Sequence, residues 1–295
     1  MYCRNSLPLL LVYAFASLAN AQNQQAAPFM VHQLKPNVYW VEGGGGNSGV
    51  IVGDKSVIVI DAKTSAAGGK ELLDDIAKIT PKPVGTVILT HSDGDHVNGL
   101  AAFPAGVKVI AHENNKKEQE TALAAGGRVA PPADRLPSQV ITKAKESLAI
   151  DGVTFELYHW APAHTSGDLV IYLPAEKIVF TGDIIAMQLP DPLIHLEKNG
   201  SSSGWITTAK GIVALDSDQF VPGHGDLQPK ASIQKRLTAA EEKRAAIEKL
   251  VEQGKTLEEA KAAVDPPAAA PAGGGGRGPG FASYTQVVYQ ELTRK

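Results

Sequence analysis

The chain has 295 residues, 43% of them hydrophobic, with a formal net charge of -3. That length is enough for one large core, and the slightly acidic balance gives a nucleic-acid partner no electrostatic support. The single cysteine, Cys3, excludes a disulfide within the chain.

MYCRN leads into the apolar run SLPLLLVYAFASL, and Ala19-Asn20-Ala21 has the small-x-small form that a signal peptidase accepts. Residues 1–21 are therefore expected to be a signal peptide. The run is shorter than the roughly 20 apolar residues of a membrane span. The expected product is a periplasmic or secreted protein with no membrane segment after cleavage. Cleavage would remove Cys3, so a metal site in the mature chain must draw on His, Asp and Glu.

Residues 28–264 read as one α/β domain. NVYWVEGG, SGVIVG and SVIVIDA are three strands rich in Val and Ile. Gly43 to Gly46 lie between the first two. They lack the Lys-Ser/Thr ending of a phosphate loop, so they read as a flexible hairpin tip. Leu72, Leu73, Ile76 and Ile79 predict a helix over 65–79 with one buried face. TVILT, VKVIAH, TFELYHW, LVIYLP, KIVFTGD and QFVPGHG are further strands, with a helix and then a loop between 114 and 135. A long helix follows over 230–254, and Thr256 with Glu259 forms a capping box for another. Residues 265–280 are a low-complexity Pro/Ala/Gly loop too poor in apolar side chains to pack. Residues 281–295 read as a helix docking back on the domain.

Seven residues fall at the ends of these strands or in the turns after them: His91, Asp93, Asp95, His96, His164, Asp183 and His224. A strand end is a rigid mount, and the loops beyond several strands can present side chains to one cleft. Imidazole and carboxylate donors suit zinc, iron or manganese. His32, His112 and His159 read as structural or exposed.

THSDGDHVNG resembles the signature loop of the metallo-β-lactamase superfamily, T-H-x-H-x-D-H-x-G-G. SVIVIDA, PAHTSGDLVIYLP, KIVFTGD and FVPGHGD are similar to its other motifs and occur in the family order. The resemblance implies an αββα sandwich with metals at one edge. It places His91, Asp93 and His164 on a first metal, Asp95, His96 and His224 on a second, and Asp183 between them. Two divalent ions are implied, zinc first, with iron and manganese as alternatives. The implied chemistry is hydrolysis of a carbonyl-type bond (lactam, lactone, ester or thioester) in a small molecule. A metal-held hydroxide would attack, with Asp95 as the catalytic residue that orients it.

Asp93 stands where the family usually has a second histidine. Three readings follow: Asp93 ligates and adds a negative charge to the first metal's shell; it is too short and one metal binds; or the site has decayed and the protein only binds a ligand. The flavodiiron proteins resemble the first case, with Glu at this position, and imply a di-iron redox enzyme as the rival class. This sequence carries no flavin motif. Lactamases with a cysteine ligand hold the substrate carboxylate with a lysine three residues further on. Here Asp183 and Ala186 occupy those positions, which counts against true β-lactamase activity. His195, Lys198 and Trp205 lie in the region that family members use to line the pocket, and are the substrate-contact candidates. Oligomeric state is not legible.

Overall fold

The structure is a computed structural model that describes residues 28–126, 131–265 and 281–294. The expected signal peptide and residues 266–280 of the expected loop lie outside the described residues.

Seven strands form the first sheet in chain order: β1 (Met30–Lys35), β2 (Val38–Glu42), β3 (Ser48–Val52), β4 (Val57–Ile60), β5 (Val84–Ile88), β6 (Lys108–His112) and β7 (Gln139–Ile141). Neighbours from β1 to β4 are antiparallel, and those from β4 to β7 are parallel. Parallel neighbours need crossovers. These are supplied by α1 (Ala66–Ile79), by the short α2 (Gly94–Val97) with a 3-10 turn over Asn98–Ala102, and by α3 (Glu113–Ala124). The second sheet has the order β12-β11-β10-β9-β8, built from β8 (Lys145–Ile150), β9 (Val153–Tyr158), β10 (Val170–Leu173), β11 (Ile178–Phe180) and β12 (Gln219–Val221). Only its β11–β12 pair is parallel, and α4 (Ser202–Ala214) lies on that crossover.

Three cores fill the three spaces of a four-layer αββα sandwich. Side chains alternate across a strand, and β4 shows the consequence. Val57 and Val59 face a layer containing Leu72 and Ile76 of α1. Ile58 and Ile60 enter the space between the sheets, beside Phe155, Leu157, Ile171 and Phe180. The outer face of the second sheet is covered by α4, by α5 (Lys230–Glu252) and by α7 (Tyr284–Thr293). Tyr284 of α7 donates its hydroxyl to Ala240 O of α5 at 3.2 Å. Ahead of α7, α6 (Leu257–Val264) begins at Thr256 with both halves of the expected capping box in place.

α1 and α4 each begin on a serine cap. Ser65 caps α1 by accepting from Gly68 N–H at 3.1 Å. Ser201 caps α4 in the same way through Gly204 N–H at 3.2 Å. Such caps satisfy backbone donors that the helix leaves open.

Candidate metal centre

The parallel strands place the site. Side chains gather beyond the carboxyl ends of β4, β5, β11 and β12, where open α/β sheets form their crevices. In the β4–β5 register Ile60 stands opposite Ile88, so the residues just past each strand meet. Asp61 follows β4 and accepts from Thr90 N–H at 2.8 Å and Thr90 Oγ1–H at 2.6 Å. It also takes His96 Nδ1–H at 2.8 Å. The Thr90 hydroxyl, its proton given to Asp61, accepts from His91 Nδ1 at 2.9 Å. One buried carboxylate thus orients two imidazoles. His164 is fixed differently: its Nδ1 donates to Leu193 O at 2.9 Å. Because these Nδ1 atoms carry the proton, each neutral ring turns a bare Nε2 lone pair inward.

Those inward atoms meet carboxylate oxygens. His96 Nε2 lies 3.2 Å from Asp183 Oδ1, and His224 Nε2 lies 3.0 Å from Asp95 Oδ2 and 3.4 Å from Asp183 Oδ2. His164 Nε2 is 3.2 Å from Asp93 Oδ2 and 4.0 Å from Asp183 Oδ2. Donor atoms of His91, Asp93, His164 and Asp183 lie within 4.8 Å of one another, and so do those of Asp95, His96 and His224. All seven strand-end candidates are therefore brought to one place, in two adjoining groups. His91 Nε2, His96 Nε2 and Asp183 Oδ1 are buried without a hydrogen-bond partner. Unpaired buried polar atoms are costly, and bound cations at these points would satisfy all three. The donor set fits hard or borderline divalent ions.

The electrostatics point the same way. Burial alone would raise the Asp93 carboxyl, but hydrogen bonds from His164 and His195 outweigh it and hold the group well below its usual range. Burial would likewise raise Asp183, which His96 and His224 hold far down. Burial opposes the charged form of His164 and His224, yet the facing carboxylates push both up to about 9. His91 has too little compensation, and burial drives it well down.

Of the three substrate-contact candidates, two reach the site. His195 Nε2 lies 2.8 Å from Asp93 Oδ2, and Lys198 Nζ donates to Asp93 Oδ1 at 2.5 Å and to Ser92 Oγ at 3.0 Å. Both line an open cleft of about 370 Å³ over the cluster, with Thr64, Asp95, Asn98 and Phe281. Trp205 does not line it. Its ring is fully buried in the core behind the second sheet, and Nε1–H donates to Ile184 O at 2.7 Å. The apolar face of α4 needs that bulk, so Trp205 anchors the helix.

Other expectations are revised by contacts that chain order hides. The glycine run is not a free hairpin tip. Gly46 N–H donates to Asp95 O at 3.2 Å, and Thr64 N–H to Gly44 O at 3.1 Å. A Cβ on Gly46 would lie 2.1 Å from the His96 ring, so only glycine lets the backbone cover that ligand. Gly223 is as constrained, since its Cβ would fall 1.9 Å from Asp183 Oδ1. Lys63, fully buried, ties the run down by donating to Val41 O at 2.7 Å and Gly46 O at 2.9 Å. Burial lowers this amine to about 7. Asp168 shapes the His164 loop by accepting from Thr165 Oγ1 at 2.7 Å and Ala163 N–H at 3.2 Å. Burial pushes this carboxyl up to about 6. Asp61 and Asp168 end SVIVID and HTSGD, and an acid closing a strand or a tight turn was the available signal. Lys63 had none. His112 and His159 stack on each other with centroids 3.9 Å apart, and His32 stacks on Trp40 at 4.3 Å.

The layered fold, with a His/Asp cluster beyond its parallel strand ends, is that of a metal-binding αββα protein. Residues 41–224 match the family model of the metallo-beta-lactamase superfamily, and the chain belongs to that superfamily. Its curated relatives include the alpha subunit of a 2,4-dinitroanisole O-demethylase from Nocardioides sp., 30% identical over 176 residues, 59% of this chain and 51% of that one. A type 2 metallo-beta-lactamase from Elizabethkingia meningoseptica is 26% identical over 74% of this chain and 87% of its own. The chain thus spans about half the length of the demethylase subunit. Among solved structures, the inverting sec-alkylsulfatase Pisa1 from Pseudomonas sp. superposes with a TM-score of 0.70 over 90% of this chain and 50% of that one, at 19% identity. A metallo-beta-lactamase from Pontibacter korlensis gives 0.62 over 72% and 99%, at 20% identity. These likenesses show the fold.

Proposed function

We propose that this protein is a dinuclear metallohydrolase that opens a carbonyl-type or related ester bond in a small molecule. The observation that carries the reading is the convergence of the unpaired His91 Nε2, His96 Nε2 and Asp183 Oδ1 under an open cleft. His91, Asp93 and His164 would hold the first metal, Asp95, His96 and His224 the second, and Asp183 would face both. Zinc is the first choice for each. The ions would supply a water acidic enough to ionise near neutral pH and a Lewis-acid centre for the developing oxyanion.

The chain's own residues do the rest. Asp95 is the least buried of these carboxylates and lines the cleft, so it can accept a hydrogen bond from the attacking water and orient it. Asp61 keeps His91 and His96 in the tautomer that a metal needs. Phe281 and Thr64 shape the cleft walls. An exported location follows from the reading of residues 1–21. Among the described residues no helix is long and apolar enough to cross a membrane.

The activities for which the relatives are named, O-demethylation and alkyl sulfate hydrolysis, widen the bonds worth trying to alkyl sulfates and activated aryl ethers. The test is turnover by purified protein on a panel of lactams, lactones, carboxylic esters, thioesters, an alkyl sulfate and 2,4-dinitroanisole. The expected result is hydrolysis of at least one class, lost on chelation and restored by zinc. Turnover unaffected by chelation, or none with two metals bound, would overturn the proposal.

A further inference from the structure

The substitution of aspartate for the expected histidine at position 93 does not stand alone. Asp93 Oδ2 is surrounded by three imidazole Nε2 atoms: His195 at 2.8 Å, His164 at 3.2 Å and His91 at 3.8 Å. His195 comes from a loop 102 residues away. We propose that His195 is a ligand of the first metal, so that this position is built from His91, His164, His195 and Asp93, with Lys198 neutralising the carboxylate. The inference rests on the dinuclear reading above and adds a ligand to it.

The His195 ring is oriented as a ligand would be. His195 Nδ1 faces Glu197 Oε1, which can only accept while ionised, so Nδ1 carries the proton. It is therefore Nε2 that turns to Asp93 Oδ2. His164 is in the same position, with Nδ1–H given to Leu193 O and Nε2 on the same oxygen. In the metal-free protein a proton on each Nε2 makes these contacts hydrogen bonds to Asp93; a divalent cation that displaced those protons would meet two imidazole nitrogens and a carboxylate oxygen converging on one point. A metal satisfies all three at once. An outer carboxylate or carbonyl on Nδ1 with Nε2 turned inward is also how metal-ligating histidines are usually held, and His96 follows it through Asp61.

The ring is also rigidly held. His195 is buried, and its ring meets His164 at 4.8 Å and Phe281 at 4.2 Å in steep edge contacts. His195 N–H donates to His164 O at 2.8 Å, which locks the two segments together. A residue that met substrate by adjusting its position would not be so confined.

The charges balance as well. Exchanging a neutral imidazole for a carboxylate adds one negative charge to the first shell. The Lys198 ammonium, 2.5 Å from Asp93 Oδ1, cancels it and leaves Oδ2 for the metal. The loop after β11 therefore supplies both the missing imidazole and the compensating cation.

The test uses the purified chain loaded with zinc and labelled with ¹⁵N in histidine. Long-range ¹H–¹⁵N spectra report each Nε2 directly, without reference to activity. The expected result is five metal-bound imidazoles, one of which disappears in His195→Asn. The variant should bind one zinc as the wild type does and the other at least about 100-fold more weakly. His195→Gln serves as a second variant, with circular dichroism to show that both fold. Four metal-bound imidazoles in the wild type, or two zinc sites of unchanged affinity in both variants, would overturn the role of His195 and leave the dinuclear reading standing. A wild-type chain that binds no metal would overturn both.

Discussion

Asp183→Asn will remove at least one metal per chain and lower kcat/KM by at least about 1000-fold, which is about 4 kcal/mol of transition-state stabilisation. Asp183 is the carboxylate that stands closest to both donor groups, facing His96, His164 and His224. Asparagine keeps the shape that Gly223 packs against but loses the charge that holds two cations in one cleft. Its amide would also turn a donor toward one of the bare nitrogens or toward a metal. Elemental analysis and steady-state kinetics on the best substrate of the panel check this, with circular dichroism to show the fold intact. A variant with two metals and activity within tenfold of the wild type would contradict it.

Zinc binding will release protons, and its apparent affinity will rise with pH. In the metal-free protein the facing carboxylates raise His164 and His224 to about 9, against a usual 6.5. At pH 7 both rings therefore carry a second proton, on the nitrogen that a metal needs. Each must lose it on binding. For each proton displaced, affinity should rise about tenfold per pH unit from pH 7 and flatten near pH 9. The same shifts act on the metal-free fold with the opposite slope. A raised histidine stabilises it fully below about 6.5, and that contribution is lost as pH rises through about 9. Calorimetry at pH 7 in two buffers of different ionisation enthalpy should show at least two protons released per chain, with a third from His96, which burial would lower but Asp183 and Asp61 also hold well above its usual value. No buffer dependence and a flat affinity between pH 7 and 9 would rule this out.

Much of the fold was legible because the central strands are buried on both faces and read as unbroken Val/Ile runs. VIVI in β4 and VIYL in β10 are examples. The edges were not. More than half of the residues of β1 and β8 are exposed, so their polar positions hide the strand. Nor is α4 legible in the sequence: SSGWITTAKGIVA contains glycine, threonines and serines, and its helical form depends on Trp205, Ala209 and Ile212 packing behind the second sheet. That tertiary dependence also misplaced Trp205 at the cleft. In the site, the strand-end residues stood out because each lies beside a strong strand. Asp61 carries the same strand-end signal, but its part in orienting His91 and His96 comes from β4 and β5 lying side by side. The partnership of Asp93 with His195 and Lys198 joins segments about 100 residues apart, and one sequence offers no local pattern for it.

The central claim is that the cluster of His and Asp side chains holds two metal ions. It is tested most directly by elemental analysis of residues 22–295, purified without chelator or added metal and then titrated with zinc. The account predicts two metals per chain, zinc before iron or manganese. No metal as purified and none on reconstitution would contradict it.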